Sequence, residues 1–278
     1  MRAPASSEWR GPGVVLLLLA AVALTGCAPK TALVALPGGQ GQPLDAATRD
    51  AYADAMAEPC RSLQALTADL RIAGRVDGER VRGTLQVGVD GKGLRLEGVP
   101  PFGAPVFILA GPTDAATLLF PRDEVYVRNA SVADLTDAVV GVALAPADLL
   151  ALLGGCGVPA GDVVSGAVFG DRWVRLDLRD GVHAWLQPGA GPSGAALRVA
   201  ETGDWRVDYE PRRTGQPLRG ALTRKRSEPV TALSFVVEAP ERLAALPAEA
   251  FAVNIPTGAR PLSLAQVRRQ RALADPEG

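Results

Sequence analysis

The 278-residue chain is poor in most of the side chains that carry chemistry. It has one histidine, His183, and three cysteines, Cys27, Cys60 and Cys156. Zinc sites draw on four such ligands; with Cys27 set aside in the apolar N-terminal segment, Cys60, Cys156 and His183 fall short of that number, so this set calls for no metal, and nothing calls for a cofactor. There is no Gly-x-Ser-x-Gly elbow, no His-Glu-x-x-His and no phosphate-binding glycine loop, which removes the readable signatures of hydrolases, metalloproteases and nucleotide enzymes. His183 lies between Val182 and Ala184 and reads as a residue on a solvated strand face. A net charge of -1 gives no reason to expect nucleic acid or a polybasic membrane patch. Lysine occurs only at Lys30, Lys92 and Lys225, and the other basic residues are arginine. The reading is a binding or structural protein rather than an enzyme.

The chain also lacks an apolar run long enough to cross a bilayer, which takes roughly twenty residues. Val14 to Leu24 is a run of about eleven, ~16 Å as a helix at ~1.5 Å per residue. Arg2 and Arg10 precede it, and it ends at Leu24-Thr25-Gly26-Cys27. A basic start, a short apolar stretch and small residues describe a secretory signal. The last four residues resemble the bacterial lipobox. That resemblance implies cleavage before Cys27 and acylation of its thiol and new amine, and two or three acyl chains anchor a protein stably. Ala28 gives no inner-membrane retention signal of the aspartate kind, so the expected location is the outer membrane, facing the periplasm. Residues 1–26 are thus read as a signal peptide. Residues 27–43, with Pro37, Gly38, Gly39, Gly41 and Pro43, are read as the acylated cysteine and a flexible tether.

Export to an oxidising compartment makes a Cys60–Cys156 disulfide the favoured state of the remaining cysteines, with free thiols as the alternative. Between them lie alternating runs. Leu70, Ile72 and Val76 alternate with Asp69, Arg71 and Arg75; Val81, Leu85, Val87 and Val89 alternate with Arg80, Arg82, Thr84 and Gln86. Asp77-Gly78, Asp90-Gly91 and Asp180-Gly181 separate such runs, as hairpin turns do. About ten or eleven strands are expected. An alanine-rich helix is expected before them, from Leu44 to Ala57, with Asp45 as N-cap and Pro59 as stop. Two apolar helices interrupt the strands around Val132–Val140 and after Pro146, and Ser263 with Gln266 caps a last helix, Leu264 to Leu273.

The expected fold class is therefore α+β dominated by β: a single curved antiparallel sheet, an unclosed half-barrel, with helices covering the concave face. The half-barrel domain spans residues 44–256, followed by a C-terminal helix and tail over 257–278. Over roughly Cys60 to Val253 the sequence resembles the outer-membrane lipoprotein-sorting proteins of the LolA/LolB kind. The resemblance rests on Leu70-Arg71-Ile72-Ala73-Gly74-Arg75, on Val99-Pro100-Pro101-Phe102-Gly103, on Ala147-Asp148-Leu149-Leu150-Ala151-Leu152-Leu153-Gly154 and on Asp204-Trp205-Arg206-Val207-Asp208-Tyr209. It implies a cavity between sheet and helices that binds acyl chains of a lipid or lipoprotein. The residues expected to line it are Leu70, Ile72, Val87, Val106, Ile108, Leu149 and Leu153, each of which also reads as ordinary core. Phe102 is either an exposed apolar loop tip or part of the core. The expected partners are the membrane, through acylated Cys27, and acyl chains. The alternative is an anchored structural subunit that holds another envelope protein and has no lipid ligand.

Overall fold

A computed structural model describes residues 33–100, 103–157, 162–212, 215–225 and 231–270. Cys27, the signal sequence and Phe102 lie outside the described residues. Leu33–Gly278 forms one compact unit.

Fifteen strands form one sheet: β1 (Gln42–Pro43), β2 (Ala65–Val76), β3 (Glu79–Asp90), β4 (Gly93–Val99), β5 (Ile108–Pro112), β6 (Ala116–Phe120), β7 (Val125–Ala130), β8 (Val163–Phe169), β9 (Trp173–Leu178), β10 (His183–Gly189), β11 (Gly191–Glu201), β12 (Trp205–Tyr209), β13 (Leu218–Arg224), β14 (Ala232–Leu243) and β15 (Arg260–Pro261). Their spatial order is β1-β8-β9-β10-β11-β12-β13-β14-β2-β3-β4-β5-β6-β7-β15. Sequence neighbours pair antiparallel within β2–β7 and within β8–β14. The long-range seam is β14 on β2, and only β15 on β7 is parallel. The result is the mostly β, unclosed sheet with helices expected from the sequence, with fifteen strands rather than ten or eleven; β8 and the two-residue β1 and β15 at its margins are among the additions.

The turns follow their chemistry. Asp77 and Gly78 both adopt positive φ, 49° and 85°, the conformation of a tight primed hairpin turn. Asp90 closes the next hairpin by accepting hydrogen bonds from the Lys92 and Gly93 amides, both at 2.8 Å.

Among the described residues four α-helices accompany the sheet: α1 (Ala46–Arg61), α2 (Val132–Val140), α3 (Pro146–Gly154) and α4 (Leu264–Gln270). Asp45 caps α1 by accepting from the Thr48 amide at 3.0 Å. The expected stop at Pro59 is corrected: the helix runs two residues past it, to Arg61, and ends within that same turn, although the proline has no N–H to give to the ladder. Ser131 caps α2 by accepting from the Asp134 amide at 3.0 Å. Gly141 ends α2 at φ 80°, and a Cβ there would lie 2.0 Å from Val76 Cγ1, so both conformation and space require glycine. Pro146 takes the first position of α3.

These four helices lie over the same, inner face. Tyr52 and Met56 of α1 cover Val174, Leu176, Ala184 and Leu186 of β9 and β10. Helices α2 and α3 cover β2–β6 and β12–β14, where Leu66, Leu85, Leu94, Leu109, Leu118 and Leu135 are almost wholly buried. Val267 of α4 is buried in this second core, and Arg268 Nε of α4 donates to Asp137 of α2 at 3.0 Å.

The outer face carries a smaller apolar cluster of Phe169, Trp173, Trp185 and Val199, with Val34 and Leu36 packed on it. Val34 N–H donates to Asp208 Oδ1 at 2.9 Å, Arg206 donates to the Val34 carbonyl, and β1 pairs with β8. The expectation of a free tether up to residue 43 is thereby corrected from Val34 onward. Apolar residues within the proline- and glycine-rich stretch find an aromatic surface to cover.

Candidate functional site

Helices α2 and α3 do not seal against the sheet. Between them lies a cavity of about 60 Å³ with an apolar surface throughout. Its floor is Leu70 and Ile72 of β2, Leu85 of β3, Leu96 of β4, Leu222 of β13, and Leu233 and Phe235 of β14. Its roof is Thr136 and Val140 of α2, Val142 and Leu144 of the connecting loop, and Leu149, Leu152 and Leu153 of α3. Strand alternation explains the floor: Leu70 and Ile72 share one face of β2, with Arg71 between them on the other. Thr136 brings no free polarity, because its hydroxyl donates to the Ala133 carbonyl at 3.0 Å and accepts from the Leu144 amide at 3.1 Å. A cavity without a polar partner can select only by shape and apolar area.

Of the seven residues expected to line such a cavity, Leu70, Ile72, Leu149 and Leu153 do so. Val87 points to the same face but is filled in by the core around it, and Val106 packs at the core's margin. Ile108 is a correction. It pairs with Glu97, an outward residue of β4, while Leu109 pairs with inward Leu96. Directly paired residues share a face, so Ile108 faces out and Leu109 takes the inner place.

The roof is held firmly at one end. Tyr209 of β12 donates its hydroxyl proton to the Leu152 carbonyl at 3.0 Å and accepts from the Gly157 amide at 3.1 Å. Burial pushes its pKa well above the ordinary phenol range, so it stays a neutral donor at every working pH. Close by, the Cα atoms of Cys60 and Cys156 are 6.2 Å apart, a separation that a disulfide spans.

The most polar cluster is on the outer face. Asp177 accepts from the Ser165 hydroxyl at 2.6 Å, lies 2.7 Å from His183 Nδ1 and pairs with Arg175 at 2.8 Å. Burial would raise the Asp177 pKa, but the hydrogen bonds from Ser165 and His183 and the Arg175 charge outweigh it and hold the carboxyl below its usual range. Both Ser165 and His183 bond to Asp177 and not to each other, so no serine–imidazole relay forms. Among the described residues no three His, Cys, Asp or Glu side chains are placed to hold a metal, and no helix is long and apolar enough to cross a membrane.

No protein-family profile and no curated protein matches the chain. Solved structures do. A LolA superfamily protein from Nitrosomonas europaea is similar at 14% identity and a TM-score of 0.48, over 74% of this chain and 98% of that one. A domain assigned to outer-membrane lipoprotein sorting from Vibrio parahaemolyticus is similar at 11% identity and a TM-score of 0.43, over 73% of this chain and 97% of that one. A DUF1329 family protein from Desulfovibrio piger is similar at 10% identity and a TM-score of 0.42, over 74% of this chain and 97% of that one. All three likenesses are distant in sequence.

Proposed function

We propose that this chain is a lipoprotein anchored through acylated Cys27, and that it binds an acyl chain of a lipid or lipoprotein between its sheet and helices α2 and α3. Its place is the outer membrane, facing the periplasm, and its task is lipoprotein localisation. The observation that carries the reading is the wholly apolar cavity, floored by Ile72 and Phe235 and roofed by Leu149 and Leu153. A chain of a dozen methylenes gains on the order of 10 kcal/mol gross at ~0.8 kcal/mol per CH₂. Ordering and association costs take back much of this, which leaves micromolar affinity as the expectation.

One observation favours a second reading. A cavity of about 60 Å³ has room for roughly four to six methylene-sized groups, fewer than a full acyl chain brings. Ligand entry therefore requires α2 and α3 to lift. If they do not, the interior is a packed core and the protein is an anchored structural subunit. Against that alternative, Leu33 and Val164 are the only large apolar side chains strongly exposed among the described residues, too few for a hydrophobic partner surface. Mass spectrometry of lipids that co-purify with the envelope-derived protein separates the two. Acyl lipids at near-stoichiometric level support binding, and their absence favours the structural subunit. The same spectra report the mature N-terminus, where an unmodified Cys27 would end the lipoprotein reading.

A further inference from the structure

The net charge of -1 conceals an uneven distribution on the outer face of the sheet. Directly paired residues share a face, so the strand registers can be followed across it. One row runs Trp185–Val199–Asp208–Ala221–Ser234–Ala73–Arg82. The next runs Glu201–Arg206–Thr223–Ala232–Arg75–Arg80, and a third runs Arg219–Val236–Arg71–Thr84. Arg75, Arg80 and Arg82 therefore gather on one part of one face, with Arg219 on the same face two strands beyond β2, all exposed. Arg75 stands directly opposite Arg80, an arrangement that costs stability between strands. Among the described residues Arg80, Arg82 and Arg219 make no ion pair, and Arg75 donates to the Gly78 carbonyl. The acids of these rows are engaged: Asp208 by Arg206, Glu201 by Lys225. Glu238 beside them is held by Arg71. Asp77 and Glu79 at the hairpin tip, each with partners of its own, offset part of the charge.

The chain enters the domain on this same face. Val34 is fixed to Asp208, which shares a row with Arg82 four strand spacings away, about 19 Å at ~4.8 Å each. Whatever its path, the chain from Cys27 to Val34 reaches at most about 25 Å, at ~3.5 Å per residue. An acyl group on Cys27 thus keeps the outer face at β12 within that distance of the bilayer, and the arginines lie along the same surface.

We propose that the outer face of β13, β2 and β3, bearing Arg75, Arg80, Arg82 and Arg219, docks on anionic lipid headgroups and turns the inner cavity away from the bilayer that holds the anchor. This rests on the acylation of Cys27 argued above. It concerns the domain's orientation and does not depend on what the cavity binds.

The test uses the full acylated protein in vesicles of phosphatidylcholine, alone or with three-tenths phosphatidylglycerol, each carrying a headgroup spin label. A fluorophore is attached at Ala73→Cys, an exposed outer-face position between Ser234 and Arg82. Docking predicts strong quenching on the anionic vesicles, little on the neutral ones, and loss of the difference in molar salt, where screening acts within ~3 Å. The triple variant Arg75→Gln, Arg80→Gln, Arg82→Gln should shift the docked-to-free ratio down about a hundredfold, while the same three positions changed to lysine should keep it. Protein that sediments with both vesicle types yet shows equal quenching overturns the docking surface alone. Protein that sediments with neither overturns the anchor and, with it, the docking.

Discussion

The Tyr209 hydroxyl donates to the Leu152 carbonyl and accepts from the Gly157 amide, so a single buried phenol on β12 holds both sides of the α3 C-terminus. This fixes the end of the cavity roof that carries Leu152 and Leu153. Tyr209→Phe keeps the ring and its edge-on contact with Phe235, whose centroid is 6.2 Å away, takes the acceptor from the Gly157 amide and leaves the Leu152 carbonyl with only the Gly155 amide, at 3.2 Å. The expected loss is about 1–3 kcal/mol in a denaturant titration. An unchanged midpoint would mean that the α3 end does not depend on this pair.

Cys60 and Cys156 act on the same end of α3. We propose that they are oxidised. A bridge across a separation of 96 residues contributes roughly 4–5 kcal/mol in the chain-entropy treatment. Non-reducing peptide mapping of envelope protein should recover one linked peptide, and Cys60→Ser should lower the denaturant midpoint markedly. Two thiols that alkylate freely in the native protein would refute the bridge.

Much of this arrangement was legible in the sequence, for identifiable reasons. Alternation in β2 and β3 and the Asp77-Gly78 turn between them report directly on side-chain direction, and the leucines around Leu149 report on a buried helix. Leu70, Ile72, Leu149 and Leu153 were therefore readable as cavity candidates. Ile108 was not, because its direction depends on a register with Glu97 that no local pattern encodes. Leu222 and Phe235 join the floor only through the pairing of β14 with β2, two distant segments. β8 carries Ser165 and Gly166 and lacks the β-branched alternation that announces a strand. The docking of Val34 and Leu36 on Trp173 and Trp185 was invisible for a related reason: a tether sequence reveals its composition, not the surface it meets.

Asp177 makes the fold sensitive to acid. Its carboxyl is held below the ordinary value of 3.8, so the folded state binds its proton less readily than the unfolded chain does. The stabilisation is present in full above that value and is lost as pH falls through the lower, folded-state value. Glu201, whose Lys225 partner and Trp185 contact outweigh its burial, acts in the same direction. Thermal melts between pH 2 and pH 6 should show Tm falling at the acid end, and Asp177→Asn should flatten that limb while lowering Tm near neutrality. A variant that reproduces the wild-type acid limb would exclude Asp177 as its source.

Ligand binding is decided most directly at Ile72. Its side chain is 6% exposed and forms part of the cavity floor, whereas Arg71, its neighbour, faces outward and pairs with Glu238. Ile72→Glu places a carboxylate against any acyl chain in the cavity, at a cost of several kcal/mol for a buried unpaired charge, and should abolish binding. The matched control must add the same charge on the opposite face without breaking an ion pair. Thr84→Glu does so: it is outward on β3 and lies directly opposite Arg71, so an added carboxylate meets a cation. Circular dichroism first establishes that both variants are folded. Displacement of a fluorescent fatty acid is then expected to give saturable, micromolar binding for the wild type and for Thr84→Glu, and none for Ile72→Glu. Equal binding by a folded Ile72→Glu would place the ligand elsewhere. Absence of saturable binding by the wild type would leave the cavity as a packing defect and the protein as a structural subunit.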